Sequence, residues 1–316
     1  MLTERSRVSI VGAGAVGSTI AYAVMLRGLV HELVLVDALP QKAEAEAKDL
    51  IHGSMFVPRV EVSAGTVEDC RGSAVVVITA GAKQKPGQTR LQLVETNAAL
   101  FRDLVPRILA AAPQALLLVV SNPVDVLTYI SLRIAGVAPE SVFGSGTVLD
   151  TSRFRALLAR RLGVAVGNVH AYIVGEHGES ETPIWSSAQI GGVPLDAVAA
   201  ATAGGPLSEA DRSEIVRGVR DAAAEVIAVK GATNWAIGLA AARILEAVLR
   251  DENRVLTVSG LVHGLDGGED VCLSVPRFVS RRGAGEPLPL HYDESEKAAL
   301  RHSAEILRET ARRLGY

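Results

Sequence analysis

The sequence feature that most constrains the fold is a glycine-rich turn near the start of the chain. Residues 8–11 form an apolar run that leads into Gly12, Gly14 and Gly17 of the motif GAGAVG and then into a helix-forming segment. In such a motif the glycines allow a tight turn, a close approach of the backbone to a pyrophosphate, and close packing of helix on strand. The helix N-terminus adds free N–H groups and a partial positive charge for the phosphates. The motif therefore predicts a dinucleotide-binding βαβ unit.

An acidic residue indicates which dinucleotide is bound. Asp37 ends the second predicted strand, 20 positions after Gly17. A carboxylate there accepts hydrogen bonds from the ribose hydroxyls and repels a 2′-phosphate, so NAD is expected rather than NADP. The alternative interpretation is an ordinary βα turn followed by an aspartate at a strand end.

The first half of the chain alternates apolar, β-branched runs with helical segments. This pattern is typical of a parallel sheet covered by helices on both faces. The predicted strands are 7–11, 33–36, 60–63, 75–78 and 116–120; the predicted helices are 15–26, 41–52 and 91–111, with further helices from Val124 and Leu149.

The second half has a mixed pattern. A strand is predicted at 168–174, antiparallel strands at 256–262 and 271–275, and helices at 208–227, 233–250 and 294–314. We expect an α/β fold in which a doubly wound, Rossmann-type parallel sheet is followed by a mixed α+β catalytic domain. The expected division is 1–146 for the NAD-binding domain and 147–316 for the substrate domain.

Composition limits the possible partners. The chain has 32 Lys and Arg against 35 Asp and Glu, a net charge of −3, so no basic surface for nucleic acid or membrane is expected. No apolar run approaches the roughly 18–20 residues that cross a bilayer. Cys70 and Cys272 lie far apart and match no metal-ligand spacing. These features predict a cytoplasmic protein with two free thiols and no metal.

Four polar segments carry the residues that a carbonyl reduction requires. They are 81–90, 121–125, 150–153 and 175–179, and the first two follow predicted strands. His177 can donate a proton near neutral pH, and a carboxylate such as Asp150 can keep its ring charged. Arg153 offers a planar fork for a substrate carboxylate, and a further cation can stabilise the developing charge on oxygen. Each residue alone has an ordinary structural explanation; the set predicts a dehydrogenase.

The chain resembles the lactate/malate dehydrogenase family, and within it the bacterial L-lactate dehydrogenases. The resemblance covers nearly the whole chain, from GAGAVG through SNPVD, LDTSRFR and GEHGES to KGATNWAIG. It implies reversible transfer of a hydride between NADH and pyruvate, giving L-lactate in glycolysis and fermentation. His177 would be the acid/base, Asp150 its partner, Arg153 the carboxylate anchor and Arg90 the group that polarises the carbonyl.

The resemblance also implies the remaining contacts of substrate and cofactor. The substrate pocket would include Gln84, Arg90, Asn122, Asp125, Asp150, Arg153 and Thr233. The NAD site would include Gly12, Gly14, Val16, Gly17, Asp37, Lys42, Gly81, Ala82, Val120, Ser121, Asn122 and Thr147. The chain departs from the common family pattern at Glu179 and Asn234, and the second departure lies beside the pocket.

Specificity depends on Gln84, because malate-specific relatives place an arginine at the matching position. A second substrate carboxylate enclosed beside a neutral amide costs roughly 3–5 kcal/mol, which favours pyruvate over oxaloacetate. Malate dehydrogenase is the alternative, and a catalytically retired NAD-binding protein is the alternative from another class. The resemblance further implies a homotetramer, with which apolar faces such as Ala45, Ala47, Leu50 and Ile51 are compatible. It also implies allosteric activation by fructose 1,6-bisphosphate at Arg155 and His170.

Overall fold

The structure is a computed structural model that describes residues 6–82, 90–264 and 268–316, with the backbone alone at residues 90 and 91. Its strands are β1 Arg7–Val11, β2 Glu32–Val36, β3 Glu61–Gly65, β4 Val75–Ile78, β5 Leu116–Val119, β6 Val142–Gly144, β7 Val169–Val174, β8 Thr182–Ile190, β9 Val193–Pro194, β10 Arg254–Val262, β11 Val271–Ser280 and β12 Gly283–Pro287. Its helices are α1 Ala15–Leu26, α2 Pro40–His52, α3 Arg90–Ala111, α4 Val124–Ala135, α5 Val148–Leu162, α6 Leu195–Ala201, α7 Glu209–Arg220, α8 Ala222–Lys230, α9 Trp235–Leu249 and α10 Glu294–Arg313.

The main sheet of the described chain has nine strands in the order β12-β11-β10-β6-β5-β4-β1-β2-β3. Strands β1 to β6 pair in parallel in the order 3-2-1-4-5-6, which is the doubly wound order of dinucleotide-binding folds. Parallel strands in such a sheet are covered on both faces, and β4 and β5 are accordingly buried along their whole length. The predicted fold class is confirmed.

Two hydrophobic clusters lie on opposite faces of this sheet. One joins the sheet to α1, α2 and α9, and the other joins it to α3 and α4. The two cysteines are free and buried, and Cys272 packs in the second cluster. Within the described ranges, no helix has the length and apolar character needed to span a membrane.

The second half of the chain both extends the main sheet and forms a separate one. Strands β10 to β12 are antiparallel, as predicted for the first two, and β10 pairs with β6 through Ser259 and Gly144. A separate sheet, β7-β8-β9, carries the loop that contains His177. The division at residue 146 therefore stays a prediction, since the hydrogen-bonded sheet continues across it.

Some element boundaries were wrong. The single helix predicted at 208–227 is two helices, α7 and α8, separated at Asp221. Strands β6, β8, β9 and β12 and helix α6 were missed because each is short or lacks a periodic run of apolar residues. In β12, for example, three of five residues are Gly or Pro, which sequence patterns associate with turns.

Candidate active site

The glycine-rich turn connects β1 to α1 with very little space around two of its glycines. Gly12 has a φ of +110°, and a Cβ on it would lie 2.6 Å from the backbone nitrogen of Ala80. A Cβ on Gly17 would lie 1.9 Å from the carbonyl oxygen of Gly12, so only glycine lets α1 pack this closely on the turn. These contacts explain the first and third glycines of the motif.

The second glycine faces open space. The nearest atom to a Cβ on Gly14 would be Nζ of Lys42, at 3.7 Å. Nζ of Lys42 also lies 3.7 Å from Oδ2 of Asp37. The Asp37 carboxylate accepts the N–H of Ala13 at 2.8 Å and that of Leu39 at 3.0 Å, which fixes it at the end of β2 beside the turn. The arrangement leaves room and a cation for a pyrophosphate beside Gly14, and a carboxylate for a ribose.

A buried asparagine that the sequence analysis missed joins two of the predicted segments. Asn97 of α3 is only 2% exposed. Its Oδ1 accepts the N–H of Ala82 at 2.8 Å, and its Nδ2 donates to the carbonyl oxygen of Asn122 at 2.9 Å. The signal that would have found it is a polar residue on the buried face of α3, beside Val94 and Ala98.

The ends of β4 and β5 are also tied to each other. The hydroxyl of Ser121 donates to the carbonyl oxygen of Ala80 at 2.6 Å. Oδ1 of Asn122 accepts the N–H of Val124 at the start of α4. The predicted cofactor residues Gly81, Ala82, Val120, Ser121 and Asn122 thus lie together at the carboxyl ends of adjacent parallel strands, where ligands bind in such sheets.

The charged centre of the candidate site is a histidine, an aspartate and an arginine. Nδ1 of His177 lies 2.6 Å from Oδ2 of Asp150, and a guanidinium nitrogen of Arg153 lies 2.6 Å from Oδ1. Asp150 and Arg153 stand three residues apart on α5, so they share one face of that helix. Asp150 is 2% exposed, whereas the side chains of His177 and Arg153 are 27% and 19% exposed. The three residues thus lie together, and their roles stay a prediction.

The carboxylate of Asp150 determines the charge of His177. Burial lowers the pKa of the imidazole, but the charge and hydrogen bond of Asp150 outweigh it, with smaller contributions from Asp125 and Glu181, so the pKa rises to about 9. The pKa of Asp150 is lowered, because His177 and Arg153 outweigh the effect of burial. At neutral pH the pair is therefore an imidazolium and a carboxylate, and the second ring nitrogen, Nε2, also carries a proton.

A second aspartate holds the main chain of the histidine loop. Asp125 of α4 is 2% exposed. Its Oδ2 accepts the backbone N–H of His177 at 2.7 Å, and its Oδ1 accepts the hydroxyl of Ser274 at 2.9 Å. Burial raises the pKa of this carboxyl group, opposed by its hydrogen bonds. Both carboxylate oxygens thus accept hydrogen bonds from other residues of the chain. These bonds favour a role for Asp125 in positioning the loop that contains His177.

A buried glutamate that the sequence analysis missed completes the cluster. Glu181 precedes β8 and is 4% exposed. One ligand atom each from Asp150, His177 and Glu181 lie within 4.8 Å of one another. Both oxygens of Asp150 are already bonded, and Arg153 supplies a permanent cation there, so the cluster is poorly suited to hold a metal ion. The available signal was its position in the sequence, four residues after the histidine and directly after the GEHGES motif.

Three other predicted residues are at least partly buried. Val16 and Thr233 are half-buried, and Thr147 is fully buried with its hydroxyl donating to the carbonyl oxygen of Ile173 at 2.6 Å. Gln84 lies outside the described residues, and so does the side chain of Arg90.

The two residues predicted to bind a sugar bisphosphate lie near one another along β7. Arg155 of α5 donates from Nε to the carbonyl oxygen of Ala171 at 2.8 Å, with its guanidinium 5.0 Å from the ring centroid of Tyr172. His170 of β7 is exposed.

Comparison with known proteins places the chain in a family. The sequence profile described as lactate/malate dehydrogenase, NAD binding domain, matches residues 6–144, and the alpha/beta C-terminal domain of the same family matches residues 147–313. The chain is 51% identical to the L-lactate dehydrogenase of Thermus aquaticus, covering 98% of this chain and 100% of that one. It is 49% identical to that of Gloeobacter violaceus, covering 98% and 93%.

Solved structures agree with the sequence comparison. A lactate dehydrogenase from a Medee basin deep-sea metagenome superposes with a TM-score of 0.96 at 40% identity, covering 99% of this chain and 100% of that one. The minor L-lactate dehydrogenase of Enterococcus mundtii superposes with a TM-score of 0.93 at 41% identity, covering 98% of each.

A doubly wound nucleotide-binding sheet with a charged histidine beside it defines an NAD-dependent oxidoreductase. Matches along nearly its whole length then specify the relationship: the chain belongs to the lactate/malate dehydrogenase family.

Proposed function

We propose that this protein is an L-lactate dehydrogenase, which interconverts pyruvate and L-lactate with NADH and NAD. The observation that carries the proposal is that one buried carboxylate bonds two functional side chains. Asp150 contacts the imidazole of His177 and the guanidinium of Arg153 at 2.6 Å each. A proton donor and an anion anchor are thereby fixed relative to each other, as a small 2-keto acid requires.

The roles follow from the charges. Arg153 keeps guanidinium N–H groups beyond the one bonded to Asp150, and these can bind a substrate carboxylate. His177, protonated at neutral pH, gives its proton to the ketone oxygen during reduction and accepts one from the alcohol during oxidation. Arg90, Asn122 and Thr233 complete the proposed pocket.

The residues around the glycine-rich turn fit NAD. The open space at Gly14 beside Lys42 suits a pyrophosphate, and the fixed carboxylate of Asp37 suits a ribose diol and disfavours a 2′-phosphate. NAD supplies the hydride acceptor and donor of the reaction. The protein orients it through the proposed contacts Gly12, Gly14, Val16, Gly17, Asp37, Lys42, Gly81, Ala82, Val120, Ser121, Asn122 and Thr147.

Pyruvate is the proposed substrate because the curated relatives at 45–51% identity are named L-lactate dehydrogenases and because Gln84 is neutral. The test is the oxidation of NADH followed at 340 nm with pyruvate or oxaloacetate. We expect kcat/KM to favour pyruvate by about 100-fold or more, and Gln84→Arg to reverse the preference. A preference of the unmodified protein for oxaloacetate would support malate dehydrogenase, and no turnover of either would support a retired NAD-binding protein.

We also propose activation by fructose 1,6-bisphosphate at Arg155 and His170. Their support is the cationic side chain of Arg155 and the exposed position of His170, which a bisphosphate can reach. Millimolar or lower bisphosphate should decrease the apparent KM for pyruvate, and Arg155→Ala should abolish the response. If the bisphosphate leaves the KM of the unmodified protein unchanged, the proposed activation is refuted.

Self-association, as a homotetramer, is proposed from apolar side chains left at the surface. Met55 and Phe56, after α2, are 88% and 82% exposed, and Ile51 is 45% exposed. Ala47 and Leu50, by contrast, pack inside the subunit. Sedimentation velocity should give the mass of a tetramer, and Phe56→Asp should lower it. A cytoplasmic location is proposed because two buried free thiols suit a reducing compartment.

A further inference from the structure

The buried carboxyl group of Glu181 lies beside the reacting histidine but has no place in the mechanism above. It stands 4% exposed at the beginning of β8, in the segment that follows the His177 loop. Its backbone carbonyl oxygen accepts a hydrogen bond from Arg220 of α7 at 3.0 Å, which fixes its position. Its carboxyl oxygen lies within 4.8 Å of ligand atoms of both Asp150 and His177.

Four charged groups face this carboxyl group. Asp150 and Arg153 face it from α5, His177 from its own loop, and Arg220 from α7. Burial raises the pKa of Glu181, Asp150 raises it further, and the three cations oppose them, giving a pKa of about 8. Glu181 is thus neutral near pH 7 and becomes charged in the range in which His177, with a pKa of about 9, approaches its own titration.

We propose that Glu181 is a positioning residue whose ionised carboxylate keeps His177 protonated to higher pH and so sets where ketone reduction gives way to alcohol oxidation. The inference rests on the proposed function of the same site. A negative charge within about 5 Å favours the charged imidazole, and incomplete burial of the ring reduces this effect without removing it. Asp150 supplies the largest attraction and Asp125 of α4 a smaller one; Glu181 adds a further attraction that appears only in alkaline solution.

The test compares the pH dependence of kcat in both directions for the whole enzyme and Glu181→Gln. Glutamine matches the neutral acid in shape, so pyruvate reduction at pH 6–6.5 should be unchanged. Because Glu181 is mostly neutral at pH 7.5, lactate oxidation there should change little. The alkaline limb of reduction should move to lower pH by about half a unit, and lactate oxidation near pH 8.5, where Glu181 is ionised in the unmodified enzyme, should increase by up to about two-fold. A residue needed only for folding would lower both rates together, so a gain in oxidation with a loss in reduction separates the two roles.

Matched variants separate position from net charge. Glu179→Gln removes the same charge from an exposed position in the same loop, and both pH limbs should stay where they are. Glu181→Asp keeps the charge and should move the limbs less than Glu181→Gln. The ring protons of His177, followed by NMR in the NADH complex, should titrate at lower pH in Glu181→Gln, which is a readout independent of turnover.

The outcomes distinguish this inference from the proposed function. No pyruvate reduction by the unmodified enzyme at any pH would refute the proposed function itself. Two other outcomes would overturn only the role of Glu181. In one, the unmodified enzyme and Glu181→Gln are both active and their pH profiles coincide. In the other, Glu181→Gln lowers pyruvate reduction and lactate oxidation equally across the pH range.

Discussion

Replacing Asp150 with asparagine should convert a nearly pH-independent reduction into one that needs acid. The carboxylate lies 2.6 Å from Nδ1 of His177 and is itself 2% exposed, so little solvent screens the interaction. Asparagine preserves the size of the side chain and removes the charge. Burial, which alone lowers the pKa of the imidazole, then acts with little opposition.

The expected magnitude follows from the pKa of His177. Its value rises from 6.5 to about 9 in the folded protein, which corresponds to roughly 3 kcal/mol at about 1.4 kcal/mol per pKa unit. With a pKa of about 9, His177 is protonated in nearly all enzyme molecules at pH 7.5. With a pKa of 6.5 or lower, it is protonated in about one tenth of them or fewer at the same pH. Reduction at pH 7.5 should therefore fall at least about ten-fold from protonation alone, and much less at pH 5.5–6.

The assay is kcat/KM for pyruvate reduction between pH 5.5 and 9.5. The unmodified enzyme should stay active until the pH approaches 9, whereas Asp150→Asn should lose activity through pH 6–7. The control is Asp196→Asn, which breaks an exposed aspartate–arginine pair of 2.6 Å with Arg212 and should leave the profile unchanged. A loss for Asp150→Asn that is equally large at pH 5.5 and 9 would refute the electrostatic argument.

Three further changes test other parts of the site. Arg153→Lys removes the planar guanidinium and should raise KM for pyruvate on the order of 100-fold, which corresponds to about 3 kcal/mol. The circular dichroism spectrum should remain that of the unmodified protein. An unchanged KM would exclude Arg153 as the residue that anchors the substrate carboxylate. Asp37→Ser removes the charge that disfavours a 2′-phosphate, so kcat/KM with NADPH should rise relative to NADH by about ten-fold or more; an unchanged ratio would contradict the role of Asp37. Asn97→Ala leaves the N–H of Ala82 and the carbonyl oxygen of Asn122 without their partner, so the free energy of unfolding should fall by about 2 kcal/mol and Kd for NADH should rise. Denaturant titration measures the free energy of unfolding, and fluorescence titration measures Kd. If neither quantity changed, the bridge made by Asn97 would be unimportant.

Sequence patterns predicted the nucleotide-binding half almost completely because its signals are local. The boundaries of β1, β4 and α1 follow from apolar runs and glycines that lie next to each other in the chain. The same holds for Asp150 and Arg153, whose spacing on a helix already puts them on one face. Where neighbouring residues determine the structure, a single sequence suffices.

The features that were missed depend on contacts between distant residues. The short strand β6 becomes part of the sheet only because β5 and β10 lie on its two sides. Asn97 bridges segments 15 and 25 residues away, and the environment of Glu181 is created by α5 and α7. Neither burial nor pKa can be inferred for such residues before the fold is known. The family resemblance did not help, because it assigned no role to Asn97 or Glu181.

The two aspartates around His177 separate its position from its proton affinity. Asp125 bonds the backbone N–H and reaches the loop from α4, whereas Asp150 bonds the ring and reaches it from α5. Ser274 of β11 connects the first aspartate to the main sheet, and Gly175, just before the histidine, forms a bridge with the same serine through backbone hydrogen bonds of 2.8 and 3.1 Å. Since β11 belongs to the same hydrogen-bonded sheet as β1, the imidazole is fixed relative to the glycine-rich turn by continuous secondary structure. The antiparallel strands that extend the sheet across the predicted domain division therefore connect the proposed acid/base in one half of the chain to the proposed cofactor site in the other.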